Sequence, residues 1–143
     1  MFTTPCFIRK NTPELLKKLE NLGYRICPCV NFDNAKWLST CLLTDYDPSV
    51  HGIGYEIEGT PYTNEKALDF FIEDNKNAKM PKIDCNENEN LFLALTALRN
   101  DSDKNQWFTD GKIWECSNSE LPGHYMQLNG HKATVEEIIE HFK

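Results

Sequence analysis

Apolar positions along the chain fall into short blocks whose spacing alternates between strand and helix periods. Pro5-Cys6-Phe7-Ile8-Arg9 is a short run of strand character. Asn11-Thr12-Pro13-Glu14 follows as a helix start: Thr12 offers a capping hydroxyl, Pro13 suits the first helical position, and Glu14 favours the positive dipole end. Leu15, Leu16, Leu19 and Leu22 then form one apolar stripe, and Gly23 closes the helix in a left-handed conformation. Tyr24 to Val30 and Lys36 to Thr44 predict strands around a turn at Phe32-Asp33-Asn34-Ala35. The stretch Asp45 to Gly59, with Pro48, Gly52 and Gly54, predicts a loop enclosing a short strand near Tyr55–Ile57. Thr63 caps a second predicted helix with Ala67, Leu68, Phe71 and Ile72 on one face.

Asn75 to Pro81 is polar and linker-like, and the pattern restarts beyond it. Lys82 to Cys85 predicts a strand, and Asn86 or Asn88 caps a helix running to Arg99. Its main stripe is Leu91, Phe92, Leu95 and Leu98, with Leu93 and Ala94 on a second face. Trp107-Phe108-Thr109 and Lys112 to Cys116 predict a hairpin about an Asp110-Gly111 turn. His124 to Leu128 predicts a third strand, Asn129-Gly130 a turn, and Thr134-x-x-Glu137 a capping box opening the last helix.

Both halves thus read βαβββα, with residues 1–75 and 76–143 as two related units of one α+β domain. The mostly antiparallel sheets are covered by about four helices. Sliding the chain by 76 residues places Thr12 on Asn88, and the leucine stripe on Leu91, Phe92, Leu95 and Leu98. Only six of 34 aligned positions are identical, against about two by chance. The order of elements and caps carries the expectation of an internal duplication.

The chain has 143 residues, 40% hydrophobic and 26% charged, enough for one domain with a core of its own. No apolar run approaches the roughly 18 residues of a membrane span. The start, MFTTPCFIRK, has no basic-then-apolar signal pattern, so a cytoplasmic protein is expected. Fifteen Lys and Arg against 22 Asp and Glu give a net charge of −7. That balance argues against nucleic acid or anionic lipid as partner and suits basic protein surfaces.

Six cysteines in a chain without a secretory signal read as small buried hydrophobes rather than a disulfide framework, and Cys6 and Cys116 each sit in an apolar run. Cys27 and Cys29, two apart on a strand, face one side and could bind zinc together with Cys6 or Cys41. The second knuckle of a structural zinc site is missing, so no metal and no cofactor is expected. Asp101-x-Asp103-x-Asn105 imitates the start of a calcium loop, but Gln106 and Lys112 stand where that loop needs Gly and Glu. His51-Gly52-x-Gly54 lacks the Lys-Ser/Thr of a phosphate cradle. No serine sits in a nucleophile elbow. His141, in the last turn of the final helix, suits its negative dipole end.

The segments Phe7 to Leu15, Asn105 to Gly111 and His131 to Glu137 resemble small uncharacterised proteins carried by phages or prophages of gut anaerobes, a similarity spanning most of the chain. The resemblance implies a cytosolic, phage-related setting and transfers no activity and no catalytic residue. Helix, three strands, helix is also the order of double-stranded-RNA-binding domains, which need cations near the start of the second helix. Here those starts, Pro61 to Lys66 and His131 to Glu137, set one or two lysines beside glutamates.

The leading expectation is therefore a non-catalytic interaction or regulatory protein that binds another protein. Its contact surface is placed at the charged segment leading into Trp107: Asp101, Asp103, Lys104, Asn105 and Trp107 itself. Two alternatives stand beside it. One is a tandem nucleic-acid-binding module; the other is a small enzyme using a thiol or imidazole, such as Cys85, His51 or His131, in a cleft between the halves.

Overall fold

The computed structural model describes residues 2–26, 37–41, 49–53, 72–78, 81–100, 104–117 and 130–143. The architecture is α+β. Strand β1 (Cys6–Ile8) leads into helix α1 (Pro13–Leu22), followed by β2 (Arg25–Ile26), β3 (Trp37–Cys41) and β4 (Ser49–Ile53). Residues 72–76 are helical. Then come β5 (Ile83–Asp84), α2 (Glu89–Thr96), the strands β6 (Trp107–Thr109), β7 (Trp114–Cys116) and β8 (His131–Lys132), and α3 (Val135–Phe142).

The helix starts form for local reasons. Thr12 accepts from the Leu15 amide and Asn88 from the Leu91 amide, one capping side chain before each helix. Gly23 ends α1 at φ 115°, where a Cβ would be strained. Thr134 and Glu137 close a reciprocal capping box on α3.

Five strands form one sheet in the order β2-β4-β3-β1-β5, and three form another in the order β7-β6-β8. In the larger sheet β1 runs antiparallel to β3 (Ile8 opposite Leu38) and parallel to β5 (Cys6 opposite Ile83). The smaller sheet is antiparallel throughout. Leu15 and Leu19 of α1, Phe92 and Leu95 of α2 and Ile138 of α3 bury against Cys6, Ile8, Leu38 and Val50 of the larger sheet. Fully burying each such aliphatic or aromatic side chain is worth about 1.5–3 kcal/mol. Helix α2 is the hub, touching β1, α1 and α3. The amide of its cap Asn88 also donates to the Phe142 carbonyl, which ties the end of α3 to the start of α2.

The two expected halves share both a sheet and a helix layer, since β5 joins β1 and α1 lies against α2. Their openings correspond in order, with a strand, a capping side chain and a helix recurring at the 76-residue spacing. The pairings differ, however: β1 is antiparallel to β3, whereas β5 takes β1 as a parallel neighbour. The expected strands at Tyr55–Ile57 and His124–Leu128 and the cap Thr63 lie outside the described residues.

Three local expectations need correction, and one strand had not been foreseen. A strand, β4, occupies Ser49–Ile53 inside the stretch expected as loop, because it is paired on both sides, by β3 and β2. The hairpin connection spans Asp110 to Ile113 rather than a two-residue turn: Thr109 pairs with Trp114, and the Asp110 carboxylate accepts from the Lys112 and Ile113 amides. His131–Lys132 is a strand, β8, held against Phe108 and Thr109. Cys116 is exposed, not buried, because its strand is a sheet edge opening on a cleft.

Candidate functional site

A cleft of about 540 Å³ lies where α1, α2 and β6 meet. Its floor is apolar: Leu22 from the end of α1, Leu93 and Ala94 from α2, Ala97 just beyond, Trp107 of β6 and Phe142 of α3. Lys18, Asn21, Asn90, Lys104 and Asn105 form its polar rim, and the Cys116 thiol opens onto it.

Each part is held by its element. Lys18, Asn21 and Leu22 follow one another at helical spacing, so α1 turns one edge toward the cleft. Trp107 faces Cys116 across the β6–β7 ladder, and its ring meets that of Phe142 edge-on at 5.3 Å. The loop bearing Lys104 and Asn105 is fastened by Gln106, whose side chain is buried beneath it. The Gln106 amide nitrogen donates to the carbonyls of Ala97 and Lys104, and its oxygen accepts from the Arg99 amide. Asn105 takes a left-handed φ of 64°, which asparagine tolerates, and its amide donates to the Ser117 carbonyl at 2.8 Å.

Electrostatics at the rim centre on Glu89, the first residue of α2. It binds Lys10 at 2.9 Å and Lys18 at 3.2 Å. The hydrogen bond from Lys10, with that from Lys18, holds the Glu89 carboxyl below its ordinary range against some desolvation. Partial desolvation at the cleft pushes the Cys116 thiol above its usual value.

The residues expected at a partner surface are partly brought together. Lys104, Asn105 and Trp107 line this cleft. Asp101 and Asp103 lie outside the described residues, as do the zinc candidates Cys27 and Cys29. Cys6, a candidate third zinc ligand, is buried against Cys85 and Thr40; burial, then the Cys85 thiol, raises its pKa. Among the described residues no three His, Cys, Asp or Glu side chains are placed to hold a metal ion. Of the candidate enzyme groups, Cys85 is sealed in the core and His131 bonds Glu137 at 2.7 Å on the surface. His51 contributes its backbone to β4. Neither Cys85 nor His131 is among the residues lining the cleft.

Lys18, Asn21, Asn90 and Phe142 were not singled out by the sequence. The sequence feature nearest to them is the second face of α2, since Leu93 and Ala94 line the same cleft. His141 does sit in the last turn of α3, but its ring stacks on Trp114, with centroids 3.9 Å apart. That pair borders a shallower hollow of about 430 Å³ edged by Glu136, Glu137 and Glu140.

No family model, curated protein or solved structure matches the chain. Among the described residues no helix is long and apolar enough to cross a membrane.

Proposed function

We propose that this chain is a non-catalytic cytoplasmic interaction protein that engages another protein through the cleft between α1, α2 and β6. The observation that carries the reading is convergence. Three residues of the segment leading into Trp107 meet side chains of α1 and α2 around an apolar floor. An apolar floor with a polar, hydrogen-bonding rim is the anatomy of a protein contact surface. The phage-related setting implied by the resemblance belongs to the same proposal.

The test is affinity capture from the native host with the tagged full chain and an Asn21→Trp variant, whose bulk fills the cleft mouth from an exposed helical position. The expected result is a stoichiometric protein partner recovered by the wild type and lost with Asn21→Trp. Recovery of no stoichiometric partner, or a low-salt gel shift with duplex RNA or DNA, overturns the reading.

A further inference from the structure

Two buried thiols meet across the join between the sequence halves. Cys6 lies opposite Ile83 in the parallel β1–β5 pair, and the Cys85 amide continues that ladder by donating to the Phe7 carbonyl at 2.9 Å. Cys85 stands two residues beyond Ile83 and so turns to the same face as Cys6. A buried free cysteine is ordinary by itself. Here two free thiols share one core cluster, at 0% and 1% exposure, and their side chains hydrogen-bond each other. The Cys6 backbone is clamped by Thr40, whose hydroxyl accepts from its amide and donates to its carbonyl. Cys85 sits beside a sheet edge. Among the described residues β5 pairs with β1 alone, and the chain bends just after Cys85 at Asn86, φ 51°. One thiol is thus fixed, and the other follows a two-residue edge strand, the kind of element that opens locally.

We infer that Cys6 and Cys85 are a redox pair, joined into a disulfide by hydrogen peroxide and reopened by a dithiol. The Cys85 thiolate attacks one peroxide oxygen; the O–O bond breaks, the sulfur becomes a sulfenic acid, and the departing hydroxide takes up the thiol's proton as water. Cys6 then attacks the sulfenic sulfur. The S–S bond forms, the S–O bond breaks, and the Cys6 proton leaves with that oxygen as a second water. The two sulfurs have together given two electrons to the peroxide. Burial raises the Cys6 pKa, and its place inside the sheet leaves the first attack to Cys85. The bond staples β1 to the turn that opens α2, because the Cys85 carbonyl accepts from the amide of Asn88, the cap of that helix. Oxidation therefore fastens the fold across its join, and reduction releases it. The inference goes beyond the interaction reading and does not depend on it.

The experiment treats the folded full chain with hydrogen peroxide, blocks the remaining thiols, and maps the linkages by mass spectrometry of a non-reducing digest. The expected product is one pair of peptides joined through Cys6 and Cys85, which dithiothreitol separates. Closing so long a loop is expected to raise the melting temperature of the oxidised protein by about 10 °C. Cys116→Ser, at an exposed position, is expected to keep both the linkage and the rise. Cys85→Ala is expected to lose both, and the wild-type map stands whether or not that variant folds. Both thiols still free at the end of the treatment, or a linkage that forms only in urea, overturns the inference. So does a bond from either thiol to another cysteine in its place, or a lowered melting temperature in the linked protein.

Discussion

Gln106 shows how much of a binding surface can hang on one side chain. It is 1% exposed, and its amide serves backbone groups of Ala97, Arg99 and Lys104. Those groups lie where α2 has ended and its last carbonyls need partners. Gln106→Ala removes the partner of the buried Ala97 carbonyl, which costs about 1–3 kcal/mol for an unsatisfied group. The expected loss is about 1–3 kcal/mol of unfolding free energy in urea titration, with the Lys104–Asn105 loop the first region to lose amide protection. Tyr24 plays a similar part at the other side of α2. Its hydroxyl donates to the Thr96 carbonyl at 2.7 Å, its ring lies 4.4 Å from that of Phe2, and burial raises its pKa. Tyr24→Phe keeps the ring and removes the donor, so a loss of about 1 kcal/mol in the same titration is expected.

At the scale of elements, α3 carries a pH dependence with a defined sign. The Thr134 amide, and then the His131 side chain, hold the Glu137 carboxyl below its ordinary value. The stabilisation is complete above the unfolded glutamate value of about 4.3 and is lost as pH falls through the depressed folded value. Helical circular dichroism is expected to decline on acidification through that window, and Glu137→Gln to flatten the decline. The caps were the most legible feature of the chain. Thr12, Asn88, Thr134 and Gly23 all act where their residue types placed them, because a cap is decided within four residues. The strands were less legible. β4 contains Gly52 and follows Pro48, and β8 is only His131 and Lys132, so neither shows alternation. Their neighbours β3, β2 and β6 make them strands, and that information lies far away in the chain. The cleft was half legible for the same reason. Lys104, Asn105 and Trp107 are neighbours in sequence, while Lys18 and Asn21 reach the site only through the packing of α1 on α2.

Over the whole molecule, the parallel pairing of β1 with β5 is the join that makes one body of two sequence halves. Arg9 reaches Asp84 at 2.5 Å, the Cys85 amide donates to the Phe7 carbonyl, and Lys82 reaches Ser39 at 2.7 Å. The Asn75 side chain and the Lys82 backbone exchange two hydrogen bonds, so the polar stretch between the halves is clipped at both ends. Fragments made by dividing the chain after residue 78 are each expected to lack cooperative thermal unfolding and to regain it when mixed. A single fragment melting cooperatively alone would show that one half has a sufficient core of its own. The same join sets a constraint on synthesis. β1 leaves the ribosome before the strand that completes it, which ends 76 residues later at Asp84. At about 5–20 residues per second its polar edge waits on the order of 4–15 s for its partner. Through that interval the nascent chain is a substrate for chaperones or for pairing with a neighbouring polypeptide, and slowing translation between Ile8 and Asp84 should favour aggregation over yield.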